Sequence, residues 1–94
     1  MSAYVVGHIT VRDAGHWAEY QSKVPATLAP WGADVVFRGR KAAVFSGTHT
    51  HTDIVVIRFA DTQAAQAWFS SPAYQALLPL RAQAADVVLL SYEA

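Results

Sequence analysis

The sequence predicts an α+β fold of the ferredoxin-like type, with a four-stranded antiparallel sheet and two helices on one face. Two observations carry this prediction. Strand-like and helix-like patterns follow one another in the order β-α-β-β-α-β along the 94 residues. No linker or low-complexity tract divides the chain, and its length suits one domain over residues 1–94.

The first half of the chain predicts a strand followed by a long helix. The stretch "AYVVGHITV" (residues 3–11) is rich in β-branched residues and predicts the first strand. Asp13 can then cap a helix by accepting the free amide protons of its first turn. Pro25 removes an amide donor inside this helix and predicts a kink or break, and Gly32 predicts its end. The apolar face of the helix carries Trp17, Tyr20, Val24, Leu28 and Trp31, at spacings of three and four.

The second half predicts the remaining strands and the second helical region. Residues 34–47 suggest two strand pieces around an Arg-Gly-Arg bend, and "DIVVIRF" (residues 53–59) suggests the next strand. Asp61 is expected to cap a helix over "TQAAQAWFS". Pro72 is suited to start a short helix after it, and Pro79 is expected to bend the chain again. "DVVLLSYEA" (residues 86–94) predicts the last strand.

Alternation of side chains along the strands predicts a sheet with two unlike faces. An apolar set that includes Phe37, Val88, Leu90 and Tyr92 is expected to pack under the helices. The other face mixes Val, Leu and Ile residues with charge: it carries His8, Arg38 and Arg58, with Asp34 or Glu93 as further candidates. Such a face predicts cover by a second copy with a polar pocket between the two. The alternative is cross-strand ion pairs and an interface histidine without a ligand.

The composition restricts the classes of partner. Seven basic and seven acidic residues cancel, which argues against nucleic-acid binding. No polybasic run and no apolar run of about 20 residues point to a membrane. The absence of cysteine excludes disulfides and, with no basic leader at the N-terminus, fits a cytoplasmic protein. A content of 53% hydrophobic and 15% charged residues suggests surface buried in a homodimer.

The stretch "SGTHTHTD" raises the question of a metal site. His49 and His51 could face one metal ion, with Asp53 as the nearest further ligand. The same residue types are also those of a solvated loop tip, since Thr, Gly and Asp favour turns. The loop tip is the expected structure, and no metal is predicted.

Three stretches resemble a known family. "YVVGHITVRDAGHWAEYQSKVPATLAPWGA", "FRGR…VFSG" and "VVIRFADTQAAQAWFSSPAYQALLPLRAQAAD" are similar to the family called domain of unknown function 1330, in the dimeric α+β barrel superfamily. The resemblance implies that two ferredoxin-like protomers pack sheet against sheet. The superfamily includes cofactor-independent monooxygenases, haem-degrading enzymes, stress-responsive proteins and small isomerases, so the fold does not give the function. The chain departs from the family at Gly32-Ala33-Asp34, and at Arg58, where relatives often carry an acidic residue.

The candidate site follows from what the sequence lacks. There is no nucleophile motif, no phosphate loop and no carboxylate pair, and no cofactor is expected. His8 is the candidate proton carrier, with Arg38 and Arg58 as candidate anion ligands. Tyr20, Trp68 and Tyr74 could wall the pocket or could simply pack in the core.

The leading expectation for function is a homodimer with a small-molecule pocket between the sheet and the partner. One alternative is a cofactor-independent acid–base enzyme of the isomerase, cyclase or monooxygenase type, acting on an acidic or aromatic metabolite. Another is a non-catalytic stress-response or structural dimer. A haem-degrading enzyme is a weaker third alternative.

Overall fold

The computed structural model describes all 94 residues, and it confirms the predicted α+β fold. A four-stranded antiparallel sheet carries all helices on one face. The strands are β1 (Ala3–Val11), β2 (Asp34–Arg40), β3 (Asp53–Phe59) and β4 (Ala85–Glu93). The helices are α1 (Ala14–Leu28), α2 (Thr62–Ser70), α3 (Pro72–Gln75) and α4 (Leu78–Ala84), and a 3-10 turn covers Ala29–Trp31. None of the helices is long and apolar enough to span a membrane.

The strands lie in the order β2-β3-β1-β4, so β1 and β3 are central. Val5 pairs with Ile57 of β3 and with Ser91 of β4, and every neighbouring pair of strands is antiparallel. Burial alternates along β1, where Val5 and Ile9 are buried under the helices and their neighbours are only half-buried. We call the side under the helices the helix face and the other side the open face.

The hydrophobic core lies between the helix face and the helices. Trp68, Tyr74 and Phe59 are its largest fully buried side chains. Their rings contact one another, with centroids 5.4 Å apart for Phe59 and Trp68 and 4.2 Å apart for Trp68 and Tyr74. Because burial of one aromatic side chain contributes about 1.5–3 kcal/mol, this cluster holds α2 and α3 to the sheet.

The sequence predicts a kink or a break at Pro25, but helix α1 continues through this residue from Ala14 to Leu28, so no break occurs. The pyrrolidine ring lies on the exposed side of the helix, where it meets solvent rather than packed side chains. The helix begins with Asp13 Oδ1 accepting the His16 amide at 3.0 Å. It ends after Leu28 in the 3-10 turn, and Gly32 follows in the left-handed region at φ 59°, as predicted for the stop.

Strand β2 differs from the prediction because it contains a bulge. Val35 pairs with Ile57, but Phe37, two residues later, pairs with Val56, the next residue of β3. The extra residue shifts the alternation by one. Phe37 therefore lies on the open face, and Arg38, opposite Val55, lies on the helix face. The placement of Arg38 beside His8 was wrong, and the second strand piece predicted for residues 41–47 does not form.

The faces of β4 are also the reverse of those predicted. Leu89 pairs with Gly7 on the helix face, while Val88 pairs with His8 on the open face. Glu93 pairs with Ala3 and so does not share the face of His8. Residues 87–90 are all apolar, so alternation along this strand does not distinguish its two sides.

Candidate functional site

A mostly apolar cavity lies between α1 and the helix face, and we call it the helix–sheet cavity. Its volume is about 80 Å³, which is room for two or three water molecules, and it is partly open to solvent, so a larger molecule would protrude from it. Of its 16 lining residues, 11 are hydrophobic. Trp17, Tyr20 and Val24 of α1 form one wall, and Val55 and Leu89 form the opposite one. A largely apolar cavity with few polar groups is the usual form of a small-molecule site.

Gly7 lies in the sheet below this cavity. A Cβ atom at this position would lie 2.9 Å from Val55 Cγ1 and 3.3 Å from Leu89 Cδ2. The missing side chain therefore lets these two residues approach each other across β1.

Polar groups lie at one side of the cavity. Gln21, Arg38 and Asp53 line it together with the apolar residues. Neither Arg38 nor Asp53 takes part in a salt bridge; the three ion pairs of the chain join Arg12 to Asp86, His16 to Asp13, and Lys23 to Glu19. The charge of the Arg38 guanidinium is therefore free to meet a ligand.

Two tyrosines of the cavity wall are hydrogen-bonded to each other and to an arginine. The hydroxyls of Tyr20 and Tyr74 are 2.8 Å apart, and Arg81 Nη1 donates to the Tyr74 hydroxyl at 2.9 Å. Burial, and then the neighbouring Tyr74 hydroxyl, raise the pKa of Tyr20 above its ordinary value. Tyr20 therefore keeps its proton at neutral pH and acts as a hydrogen-bond donor rather than as a base.

Packing fixes the aromatic rings around these hydroxyls. The Tyr20 ring stacks on Trp17, with centroids 5.0 Å apart and planes 22° apart. Trp68 Nε1 donates to Thr27 Oγ1 at 3.0 Å, and Thr27 in turn donates to the Val24 carbonyl at 2.7 Å. These contacts join α1 and α2 beside the cavity, so its aromatic wall is rigid.

The structure separates the predicted site residues into two groups. Tyr20, Trp68, Tyr74 and Arg38 all line the helix–sheet cavity. His8 and Arg58 lie instead on the open face: His8 pairs with Ile54 and Val88, and Arg58 pairs with Tyr4 and Asp34. A single pocket that joins His8 to both arginines does not exist within the protomer.

The open face is apolar around these two polar groups. Phe37 is 50% exposed, Leu90 is 40% exposed and Tyr92 is 52% exposed. Together with Val6, Val56 and Val88 they form a nearly continuous apolar surface on strands that pair side by side. An exposed patch of this kind marks an interaction surface.

Three histidines meet at one end of the open face. The loop after β2 folds back on β1, where the Thr52 amide donates to the Ile9 carbonyl at 3.0 Å. The ring of His49 lies 4.9 Å from that of His8 and 5.8 Å from that of His51, and His51 Nδ1 is 2.9 Å from Thr10 Oγ1. Burial, and then the neighbouring His49 and His51, lower the pKa of His8. No group of three metal-ligating side chains is placed to hold a metal ion.

Sequence reasoning missed Arg81 and Gly7. Arg81 and Tyr74 belong to two separate helices, so their spacing of seven residues gave only a weak signal of their contact. No comparable signal pointed to Gly7, because its role depends on side chains of the two neighbouring strands.

Comparison with known proteins decides the family. The sequence profile described as Domain of unknown function (DUF1330) matches residues 2–93. This chain is a DUF1330 protein. A sequence search of curated proteins finds no significant match to it.

Solved structures similar to this DUF1330 protein share its fold at low sequence identity. The RPA0582 protein of Rhodopseudomonas palustris is 17% identical with a TM-score of 0.80, over 99% of this chain and 82% of that one. A dimeric ferredoxin-like protein from Jannaschia sp. CCS1 is 12% identical with a TM-score of 0.76, over the whole of both chains. SnoaB, a cofactor-independent oxygenase from Streptomyces nogalater, is 12% identical with a TM-score of 0.72, over 99% of this chain and 92% of that one.

Proposed function

We propose that this protein is a homodimer in which each protomer binds a small molecule in its helix–sheet cavity. The observation that carries the proposal is the cavity itself: an apolar space of about 80 Å³ between α1 and the sheet, with polar groups at one side. A core that only stabilises the fold is close-packed and leaves few voids larger than a water molecule.

The chemistry of the lining indicates the class of ligand. Trp17, Tyr20 and Trp68 offer aromatic surface to a flat, mostly apolar body. Arg38 carries the unpaired positive charge of the cavity and is suited to a carboxylate or another anionic group. We therefore propose an acidic or aromatic metabolite, held with its polar end toward Arg38.

The proposed dimer forms through the open face. Similar structures from Jannaschia sp. CCS1 and Thermobifida fusca YX are described as dimeric ferredoxin-like proteins. A second copy seated on this face would bury Phe37, Leu90 and Tyr92 and leave the cavities of both protomers on the outer sides of the paired sheets.

A cavity-filling variant tests the proposed binding site. Val55 lines the cavity, whereas Val56, its neighbour in β3, lies on the open face. We expect native mass spectrometry of the purified protein to show a retained small molecule. Val55→Phe should lose it, because the larger ring occupies the cavity, and Val56→Phe should keep it. Loss of the molecule in Val56→Phe alone would place the ligand on the open face and contradict the proposal.

The second candidate function is acid–base catalysis without a cofactor, acting on the molecule held in the cavity. The hydrogen-bonded Tyr20, Tyr74 and Arg81 favour it, because a fixed donor can stabilise developing negative charge on a substrate oxygen. His8 could serve as its base only in a site completed by the partner on the open face. The test is chemical conversion of the retained molecule by the wild type. Loss of conversion in Tyr20→Phe would assign the reaction to the cavity, and loss in His8→Ala would assign it to the open face.

A further inference from the structure

The hydrogen bonds between Arg81, Tyr74 and Tyr20 have a direction. A guanidinium has only donors, so Arg81 occupies one acceptor site of the Tyr74 oxygen. The bond between the two tyrosine hydroxyls can run either way on geometry alone. Its direction decides which tyrosine is left with a free proton.

Burial distinguishes the two directions. Tyr74 is 0% exposed, whereas Tyr20 is 8% exposed. If Tyr20 donated to Tyr74, the proton of the fully buried Tyr74 would have no acceptor, and burial of an unpaired donor is costly. If Tyr74 donates to Tyr20, every group of the buried end is satisfied. The chain of donors then runs from Arg81 to Tyr74 to Tyr20.

The free proton therefore belongs to Tyr20, which lines the cavity. Its proton has no acceptor in the protein, because Arg81, which also lies near this hydroxyl, can only donate. Stacking on Trp17 fixes the ring, so the hydroxyl is held in place before a ligand arrives. A hydroxyl that accepts a hydrogen bond from a chain of donors ending in a charged group is also a stronger donor itself.

We propose that the ligand of the helix–sheet cavity presents an acceptor oxygen, as a ketone, enolate or carboxylate, to the Tyr20 hydroxyl. Arg81 acts as a positioning residue that sets the direction of this donor through Tyr74. The inference rests on the proposed binding function and adds to it the functional group that the ligand must carry. Ammonium groups and pure hydrocarbons of the same shape offer no acceptor at this point and bind less tightly.

Two probes of nearly equal shape test the inference. Acetophenone carries a carbonyl oxygen where α-methylstyrene carries a methylene group. We expect the wild-type protein to bind acetophenone about 3- to 10-fold more tightly than α-methylstyrene, measured by NMR chemical-shift titration of the tryptophan indole protons. Benzoate, whose acceptor is charged, should be preferred by about tenfold or more.

Substitutions assign this preference to the tyrosine and the arginine. Tyr20→Phe should bind acetophenone and α-methylstyrene with about equal affinity. Its affinity for α-methylstyrene should stay within about twofold of the wild-type value. Arg81→Met should reduce the preference in part, and Arg81→Lys should restore some of it, which a purely structural role of Arg81 would not do. Tyr92→Phe, on the open face, is the matched control and should leave the preference unchanged.

The outcomes separate this inference from the proposed function. Equal binding of both probes to the wild type, or an unchanged preference in Tyr20→Phe, overturns the inference and leaves the binding site standing. Failure of both probes and of benzoate to bind the wild type overturns the proposed site together with the inference. If Tyr20→Phe does not fold, the hydroxyl proton of Tyr20 in the wild type provides the test: acetophenone should move its resonance downfield and α-methylstyrene should not.

Discussion

Gly7 is a residue at which the stability of the sheet and the shape of the cavity depend on one missing atom. We expect Gly7→Ala to lower the free energy of unfolding by about 1–3 kcal/mol, because its Cβ would lie 2.9 Å from Val55 Cγ1 and Val is stiff at χ1. Chemical denaturation measures the change. Gly39→Ala is the matched control, since its Cβ would meet Ile54 Cγ2 at an ordinary 3.6 Å. Equal effects of the two substitutions would contradict the close contact at Gly7.

His8 links the protonation state of the open face to stability. Its pKa is lowered by burial first and by His49 and His51 after that. The unfolded chain has the ordinary value of about 6.5, so protonation favours the unfolded state. The stability that neutral His8 contributes is therefore present above about pH 6.5 and is lost as the pH falls toward the lowered pKa.

Removal of one neighbouring imidazole tests this account. His49→Ala should raise the pKa of His8 toward its ordinary value, because it removes a like charge and opens the site to water. NMR titration of the imidazole Cε1 proton measures the shift. Thr48→Ala, in the same loop but without an ionisable group, should leave the titration of His8 where it was. A downward shift in His49→Ala would show that His49 stabilises the charged form instead.

At the scale of elements, α1 continues through a proline at which the sequence predicted a kink or a break. Pro25 lies on the exposed side of the helix and leaves the Gln21 carbonyl without its helical partner. Pro25→Ala should therefore raise the free energy of unfolding by about 1–2 kcal/mol, which is the helix-propensity gain less the entropy regained by the unfolded chain. Thermal unfolding should show a melting temperature higher by several degrees, and Ala26→Gln should leave it unchanged. A lower melting temperature would indicate that the free Gln21 carbonyl has a role in the cavity.

How well each element could be predicted depended on how distinct its residue pattern was. Helix α2 occupies the predicted residues, because Asp61 caps it through a 2.8 Å bond to the Ala64 amide. The sequence could not predict which residues of β2 lie on which face of the sheet, since nothing in its composition indicates the extra residue at the bulge. In β4 the continuous apolar run hid the alternation.

For the candidate site, the aromatic wall was predictable and its polar partners were not. Tyr20, Trp68 and Tyr74 stand out from the sequence as large residues on helix faces. Arg38 lines the cavity, whereas the sequence placed it on the opposite face of the sheet. The bond from Arg81 to Tyr74 depends on the turn at residues 76–77 between α3 and α4, which residue types alone do not fix.

At the scale of the whole molecule, the open face is the surface whose burial would complete the fold. We expect the wild type to be a dimer and Leu90→Glu to be a monomer, because each copy would carry an unpaired charge into an apolar interface. The dimer dissociation constant should rise by at least about 100-fold, measured by analytical ultracentrifugation. Ala18→Glu, at an exposed position of α1, is the control and should remain dimeric. A dimer of undiminished affinity in Leu90→Glu would show that copies meet elsewhere.

The alternation of side chains along β1 has a consequence for how such proteins can diverge. Odd-numbered positions such as Gly7 and Ile9 line the helix–sheet cavity, the proposed ligand site, and even-numbered positions such as Val6 and His8 lie on the open face, the proposed dimer surface. Alternate residues of one strand thus determine two separate properties, the proposed choice of ligand and the proposed choice of dimer partner. Substitutions at the odd-numbered positions can change the shape of the cavity without changing the open face. Substitutions at the even-numbered positions can change the open face without changing the cavity.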